Sequence, residues 1–226
     1  LEEVAGDIGF AIHALRQREQ VDRLERERRE NFEQTILSFA DMIDQRDTYT
    51  AGHTVRVARY SRLLAERLGL AGAQIDLLQQ AAILHDIGKI ATPDSVLLKP
   101  GRLAPLDYEL IKHHAQAGSA MLAGIAMYRE LATIIRHHHE RFDGMGYPDR
   151  LRGEEIQRLA RILVVADSFD AMTTNRIYKA RKSVHEALDE LQSLSGSQFD
   201  PEVVAAALVA LGGVELPAAV SQLPKN

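Results

Sequence analysis

Nine histidines are spread over 226 residues, and seven of them fall between His53 and His139. Any one alone reads as a satisfied core or surface histidine; their company changes that reading. His85 and Asp86 are adjacent inside an apolar helical run, Gln80-Ala-Ala-Ile-Leu-His-Asp-Ile-Gly-Lys89. An ionisable pair is expensive to bury there unless a metal or a counter-charge compensates. Gly88 and Lys89 add a helix break and a cation. His137-His138-His139-Glu140 ends a second helical run at a Gly-rich loop, and Asp167 lies in a third apolar run, Ile162-Leu-Val-Val-Ala-Asp-Ser-Phe-Asp170.

Such a set suits metal-assisted hydrolysis. The two oxygens of a carboxylate such as Asp86 can bridge two metal ions about 3.5–4 Å apart. Neutral imidazoles complete each shell and leave positions for water and substrate. A water between two cations loses a proton near neutral pH, which makes a bridging hydroxide without a side-chain base. The same ions offset charge developing on a phosphoryl oxygen. The implied reaction is phosphodiester hydrolysis.

Composition narrows the rest. There are no cysteines, which excludes disulfides, zinc-thiolate sites and thiol catalysis. Any metal must therefore sit on His, Asp, Glu or Lys, which suits borderline-hard divalent ions such as iron, manganese, nickel or zinc. The net charge of -5 gives no basic footprint for duplex nucleic acid. A nucleotide remains a fitting ligand, because a few cations suffice for a phosphate. Hydrophobic residues at 46% and charged residues at 26% are ordinary for a soluble globular chain. No apolar stretch is long enough to span a bilayer and no signal-peptide pattern opens the chain, so a cytoplasmic location without membrane insertion is expected. The first residue is Leu1, and the sequence reads as part of a longer polypeptide.

The elements that must position these residues are helical throughout. In residues 1–31, Val4, Ile8, Ala11 and Leu15 form an apolar stripe, and from Arg16 the chain is almost wholly charged, with Glu19/Arg23 and Glu25/Arg29 four apart. This segment reads either as a surface helix or as a connector, in parallel coiled-coil form, from an upstream sensory domain. Residues 32–211 form the main domain. Amphipathic runs cover Val55–Leu68, Ile75–Ile87 ended by Gly88, Leu106–Leu122, Tyr128–His139, Leu159–Met172, Ser183–Leu194 and Pro201–Leu211. Loops fall at Pro93–Pro105 and Asp143–Gly153. No convincing strand pattern appears, so the fold class is all-α, with residues 212–226 a tail.

Over residues 32–211 the chain resembles HD-GYP domains, an HD-type helical bundle. The matching stretches are Arg46-Asp-Thr-Tyr-Thr-Ala-Gly-His53, His85-Asp-Ile-Gly-Lys89, His114 to Gly118, His138-His-Glu-Arg-Phe-Asp-Gly-Met-Gly-Tyr-Pro148 and Val165-Ala-Asp-Ser-Phe-Asp-Ala-Met-Thr173. The doublet is shared by many HD phosphohydrolases, while the Gly-Tyr-Pro run at this spacing separates the HD-GYP group. The resemblance implies a cyclic di-GMP phosphodiesterase, with pGpG or GMP as its final product. It implies one metal on His53, His85, Asp86 and Asp167, and a second sharing Asp86 and adding His114, His138 and His139. His113 and His137 are then structural, and His13 and His185 ordinary surface residues. It assigns Lys89 to a phosphate oxygen or the nucleophile, Arg176 and Lys179 to phosphate and guanine contacts, and Tyr147 to the substrate face. A glutamate that holds a third metal in some members is replaced by Tyr49, which points to a binuclear site. Ile177 stands where the family usually has proline, which loosens the loop carrying Arg176. The implied partners are an upstream sensory domain of GAF type, a second copy through the N-terminal helix, and a diguanylate cyclase domain at the Gly-Tyr-Pro loop. Two other readings stand beside it: a nucleotide- or partner-binding module without turnover, and a hydrolase of another cyclic dinucleotide.

Overall fold

The computed structural model describes residues 2–46, 52–99, 101–174 and 181–216. Arg176 and Lys179, with Tyr49 and Ile177, lie outside these described residues. Helix α1 runs from Glu2 to Arg46 without a break at residue 31. Compact units divide between Phe39 and Ala40. In the first unit the charged stretch is exposed, and so are its apolar members Leu15, Val21 and Leu24.

The second unit contains α2 (His53–Arg67), α3 (Gly72–Leu84), α4 (Asp94–Leu97), α5 (Pro105–Ala123), α6 (Arg129–His137), α7 (Arg158–Thr173), α8 (Val184–Ser193) and α9 (Pro201–Ala210). Among the described residues there is one isolated bridge, Ser195 with Phe199, and no strand. The all-α expectation holds. Helix α7 is the axis of the core, buried at Leu159, Ala160, Ile162–Ala166, Phe169, Asp170, Met172 and Thr173. It packs against α2, α3, α6, α8 and α9. Its β-branched stretch is therefore helical because it is buried all round, where packing overrides a weak local preference. Phe169 meets Tyr60 of α2 edge to face at 5.1 Å. Local signals set several starts: Ser183 and Glu186 cap α8 reciprocally, and Pro105 and Pro201 open α5 and α9.

Two boundaries differ from the periodicity. The run expected to continue to Ile87 leaves α-geometry after Leu84, and a 3-10 turn covers Ile87–Ala91. The cause is a close backbone approach. A Cβ on Gly88 would lie 1.9 Å from the carbonyl oxygen of His114, and one on Gly118 would lie 3.0 Å from the amide nitrogen of Gly88. The two glycines let the turn after α3 lie directly on α5, a contact no other residue pair would allow. The second difference is α4, a single turn after Pro93 inside the span expected to be loop.

Candidate metal centre

Five elements bring the predicted ligands together. His53 is the first residue of α2, and His85 and Asp86 follow the last turn of α3. His114 sits mid-way along α5, His138 and His139 follow the end of α6, and Asp167 projects from α7. The ligand atoms of His53, His85 and Asp86 lie within 4.8 Å of one another, and so do those of His114, His138 and His139.

Hydrogen bonds fix which nitrogen each ring offers. The Nδ1 atoms of His85, His114 and His138 lie 2.7, 2.6 and 2.6 Å from the carbonyl oxygens of Ala82, Ile111 and Ile135. A carbonyl only accepts, so Nδ1 carries the proton in all three and the neutral ring presents a bare Nε2. His53 Nδ1 donates instead to Asp170 Oδ2 at 2.7 Å. The Nε2 atoms then converge, His53 on His85 at 3.3 Å and His114 on His138 at 3.3 Å. Two lone pairs facing at that distance repel unless a proton or a cation lies between them. The donor set therefore fits metal ions, with borderline-hard cations the natural match.

Asp86 links the two groups. Its Oδ2 lies 3.4 Å from His85 Nε2, and its Oδ1 lies 3.4 Å from His114 Nε2. Asp167 Oδ1 stands 3.4 Å from His53 Nε2 and 4.0 Å from His85 Nε2. Lys89 Nζ is 2.7 Å from Asp86 Oδ2. Burial disfavours the Asp86 charge, yet Lys89 and the surrounding imidazoles outweigh it and hold its carboxyl well below the usual range. Burial pushes His138 and His114 down from their ordinary values and His139 to about 3, which keeps these rings neutral. Burial acts on His53 the same way, but the Asp170 hydrogen bond and the nearby acids prevail and its value is raised.

The loop after α6 closes one side. Glu140 is buried, and its Oε1 accepts from the amides of Asp149 and Arg150 at 2.6 and 3.0 Å. A Cβ on Gly146 would lie 2.3 Å from the Arg141 nitrogen, so the loop can fold this tightly only with glycine there. The result lays the Tyr147 ring over His139, centroids 4.9 Å apart and planes 28° apart. Tyr147 is pushed to a raised pKa by burial and stays a phenol. The centre opens into a cleft of about 1410 Å³ lined by Lys89, Lys112, Arg141, Tyr108, Tyr147 and Gln198 among others.

The other histidines are not among the clustered ligands, although His113 lines the cleft. His137 Nε2 is 2.9 Å from Asp149, which Arg136 also grips. His13, His113 and His185 are exposed. Sequence reasoning passed over Asp170 and Arg56. Asp170 accepts from Arg56 Nε at 2.6 Å as well as from His53, and so orients that ring. Its signal was available: Asp170 lies three residues after Asp167 in a buried helix, one turn along the same face.

A protein-family model described as HD domain matches residues 38–203. A cyclic di-GMP phosphodiesterase of Thermotoga maritima is 43% identical over 182 residues, 79% of this chain and 50% of that protein. A 3'3'-cGAMP-specific phosphodiesterase of Vibrio cholerae serotype O1 is 36% identical over 191 residues, 84% of this chain and 41% of that protein. The chain thus spans about half the length, or less, of these curated relatives. A crystal structure of a cyclic GMP-AMP specific phosphodiesterase from Vibrio cholerae shares the fold, with a TM-score of 0.64 at 21% identity over 80% of this chain and 49% of that one. An HDGYP protein from Bdellovibrio bacteriovorus superposes with a TM-score of 0.57 at 25% identity, covering 71% and 52%. No helix among the described residues is long and apolar enough to cross a membrane. The family match takes in every histidine and aspartate of the centre, from His53 to Asp167, and on that ground the chain belongs to the HD-domain family.

Proposed function

We propose that this chain is a metal-dependent phosphodiesterase of the HD-GYP type that opens cyclic di-GMP to pGpG, a product that keeps one phosphodiester for a second turnover to GMP. The observation that carries it is the placement of Asp86, one oxygen toward each of two imidazole groups. In this reading His53, His85 and Asp167 complete one ion's shell, and His114, His138 and His139 the other's, with Asp86 shared. Two divalent ions held there, iron or manganese first, would activate water and stabilise charge on the phosphoryl oxygens. The chain's own groups do the rest. Lys89 holds Asp86 ionised and offers a donor to a phosphate oxygen. Tyr147 walls the substrate side and keeps its proton. Arg176 and Lys179 are assigned to phosphate and guanine contacts by resemblance alone. Helix α1 would carry input from an upstream sensory domain, and self-association through it or cyclase contact at the Gly-Tyr-Pro loop belongs to the same proposal.

The test is direct. The purified chain loaded with iron or manganese is incubated with cyclic di-GMP, and products are separated by ion-exchange chromatography. Linear pGpG is expected; binding without any linear product would sink the enzymatic reading and leave a nucleotide-binding module. One observation favours a second reading, since a relative 36% identical is named 3'3'-cGAMP-specific. Measuring kcat/KM for both cyclic dinucleotides on one preparation ranks the two.

A further inference from the structure

The cleft wall carries cations beyond the metal centre, and they are not equally committed. Lys99 is bonded to Asp107 Oδ2, which also accepts from the Ala104 amide at the start of α5. Arg141 forks onto Asp143 and reaches Gln198, while Asp143 also accepts from the Met145 amide. Displacing either cation would disturb a helix start or the loop. Lys112 is held differently. Its ion pair is to Glu109, three residues away on the same helix, and the Glu109 side chain is 64% exposed. A pair of that kind is worth little and exchanges readily for another anion.

What fixes Lys112 is aromatic. Its Nζ stands 4.8 Å from the Tyr108 ring centroid and 5.6 Å from that of Tyr147. Tyr147 in turn stacks on His139. The ring faces favour the ammonium charge but take up little of its hydrogen-bonding capacity, and Glu109 accepts one of three donors. A cation with donors to spare is thus held in the same cleft as the metal centre, beside the ring that stacks on His139. A cyclic dinucleotide carries two phosphates at a fixed separation in one macrocycle. When one lies at the metals, the other remains charged and must be met elsewhere in the cleft.

We propose that Lys112 binds the phosphate that is not being cleaved and so selects ring substrates bearing two phosphodiesters; this rests on the phosphodiesterase reading above. Lys112→Gln, Lys112→Met and Lys112→Arg are compared with wild type on cyclic di-GMP and on bis(p-nitrophenyl) phosphate, which has a single phosphate. In Lys112→Gln and Lys112→Met the ratio of kcat/KM for cyclic di-GMP over the nitrophenyl ester falls about tenfold, the loss of one charge-assisted contact, and mainly through KM. Lys112→Arg keeps the charge and holds the ratio within about threefold of wild type. Equal losses on both substrates, or retention of the ratio by Lys112→Met, would show that Lys112 only packs against Tyr147 and would overturn the proposal. Should Lys112→Gln fail to fold, the Met and Arg variants decide the matter between them. Wild-type protein that cleaves neither ester would instead remove the phosphodiesterase reading itself, and this proposal with it.

Discussion

The two halves of the centre are built from the same residue types by different means. On the His114, His138 and His139 side, two of the rings are anchored by the carbonyl three residues earlier in their own helix, as is His85 on the other side. His53 cannot use that device. It opens α2, so no helical turn precedes it, and its anchor is the carboxylate of Asp170 on α7. In the first half Asp86 and Asp167 both stand within 4.0 Å of an imidazole nitrogen, while in the histidine-rich half Asp86 stands 3.4 Å from His114 and Asp167 acts on His139 from further off. A carboxylate anchor raises the basicity of its imidazole more than a carbonyl does. The lesson is that position within a helix dictates the supporting partner, and the partner sets the electrostatics of the ligand.

This contrast can be broken at its shared point first. Asp86→Ala removes the carboxylate proposed as the ligand common to both halves; turnover should fall by about three orders of magnitude or more, with helical circular dichroism retained. Activity surviving that change would remove the bridging role. Gly88→Ala acts on the distance between the halves, because its methyl group would be driven into the His114 carbonyl. A destabilisation of about 1–3 kcal/mol is expected from overpacking, read as a lowered Tm, together with loss of metal. An unchanged Tm would mean that the contact of the turn with α5 is looser than described.

Asp170→Ala should sharpen the contrast rather than abolish the site. Metal affinity of the His53 half should drop about 10–100-fold while the other half keeps its ion, as followed by metal analysis during chelator titration. Loss of both ions together would show that the halves are not separable. The smallest effect is in pH. His53 is raised, so in metal-free protein it is protonated above its ordinary titration point near 6.5, and an incoming ion must displace that proton. His114, His138 and His139 are lowered, His139 to about 3, and stay neutral as pH falls through 6.5. Acidification from neutral pH should therefore weaken ion binding in the His53 half first; simultaneous weakening of both halves would contradict the assigned electrostatics.

The sequence carried much of this. Helical periodicity marked α2, α3 and α5 to α9, because amphipathic faces are written locally. The histidines and aspartates of the centre were legible as types and spacings, and the structure brings seven of them together. What was not legible depends on approach between distant segments. The Asp170–His53 bond spans 117 residues, and although the spacing from Asp167 marks Asp170, nothing local pairs it with His53. Gly88 looked like a helix terminator; its more consequential property is the missing Cβ that lets Asp86 reach toward His114. Nothing in the local sequence of α5 distinguishes Lys112; the Tyr147 ring beside it comes from a loop 35 residues further on. Arg176 and Lys179, lying outside the described residues, remain where the sequence resemblance put them.

The facing lone pairs of His114 and His138 reach beyond catalysis. Two neutral rings held in one tautomer, with nitrogens pressed to 3.3 Å, are a conformational cost that an entering cation relieves. Folding and metal uptake are then thermodynamically linked: at a free-ion concentration 100 times its Kd, one ion adds about 2.7 kcal/mol to stability. A chelator should lower the Tm, and restored metal should raise it again. The lifetime of this protein in a cell would then follow the supply of metal, independently of whether any substrate is present.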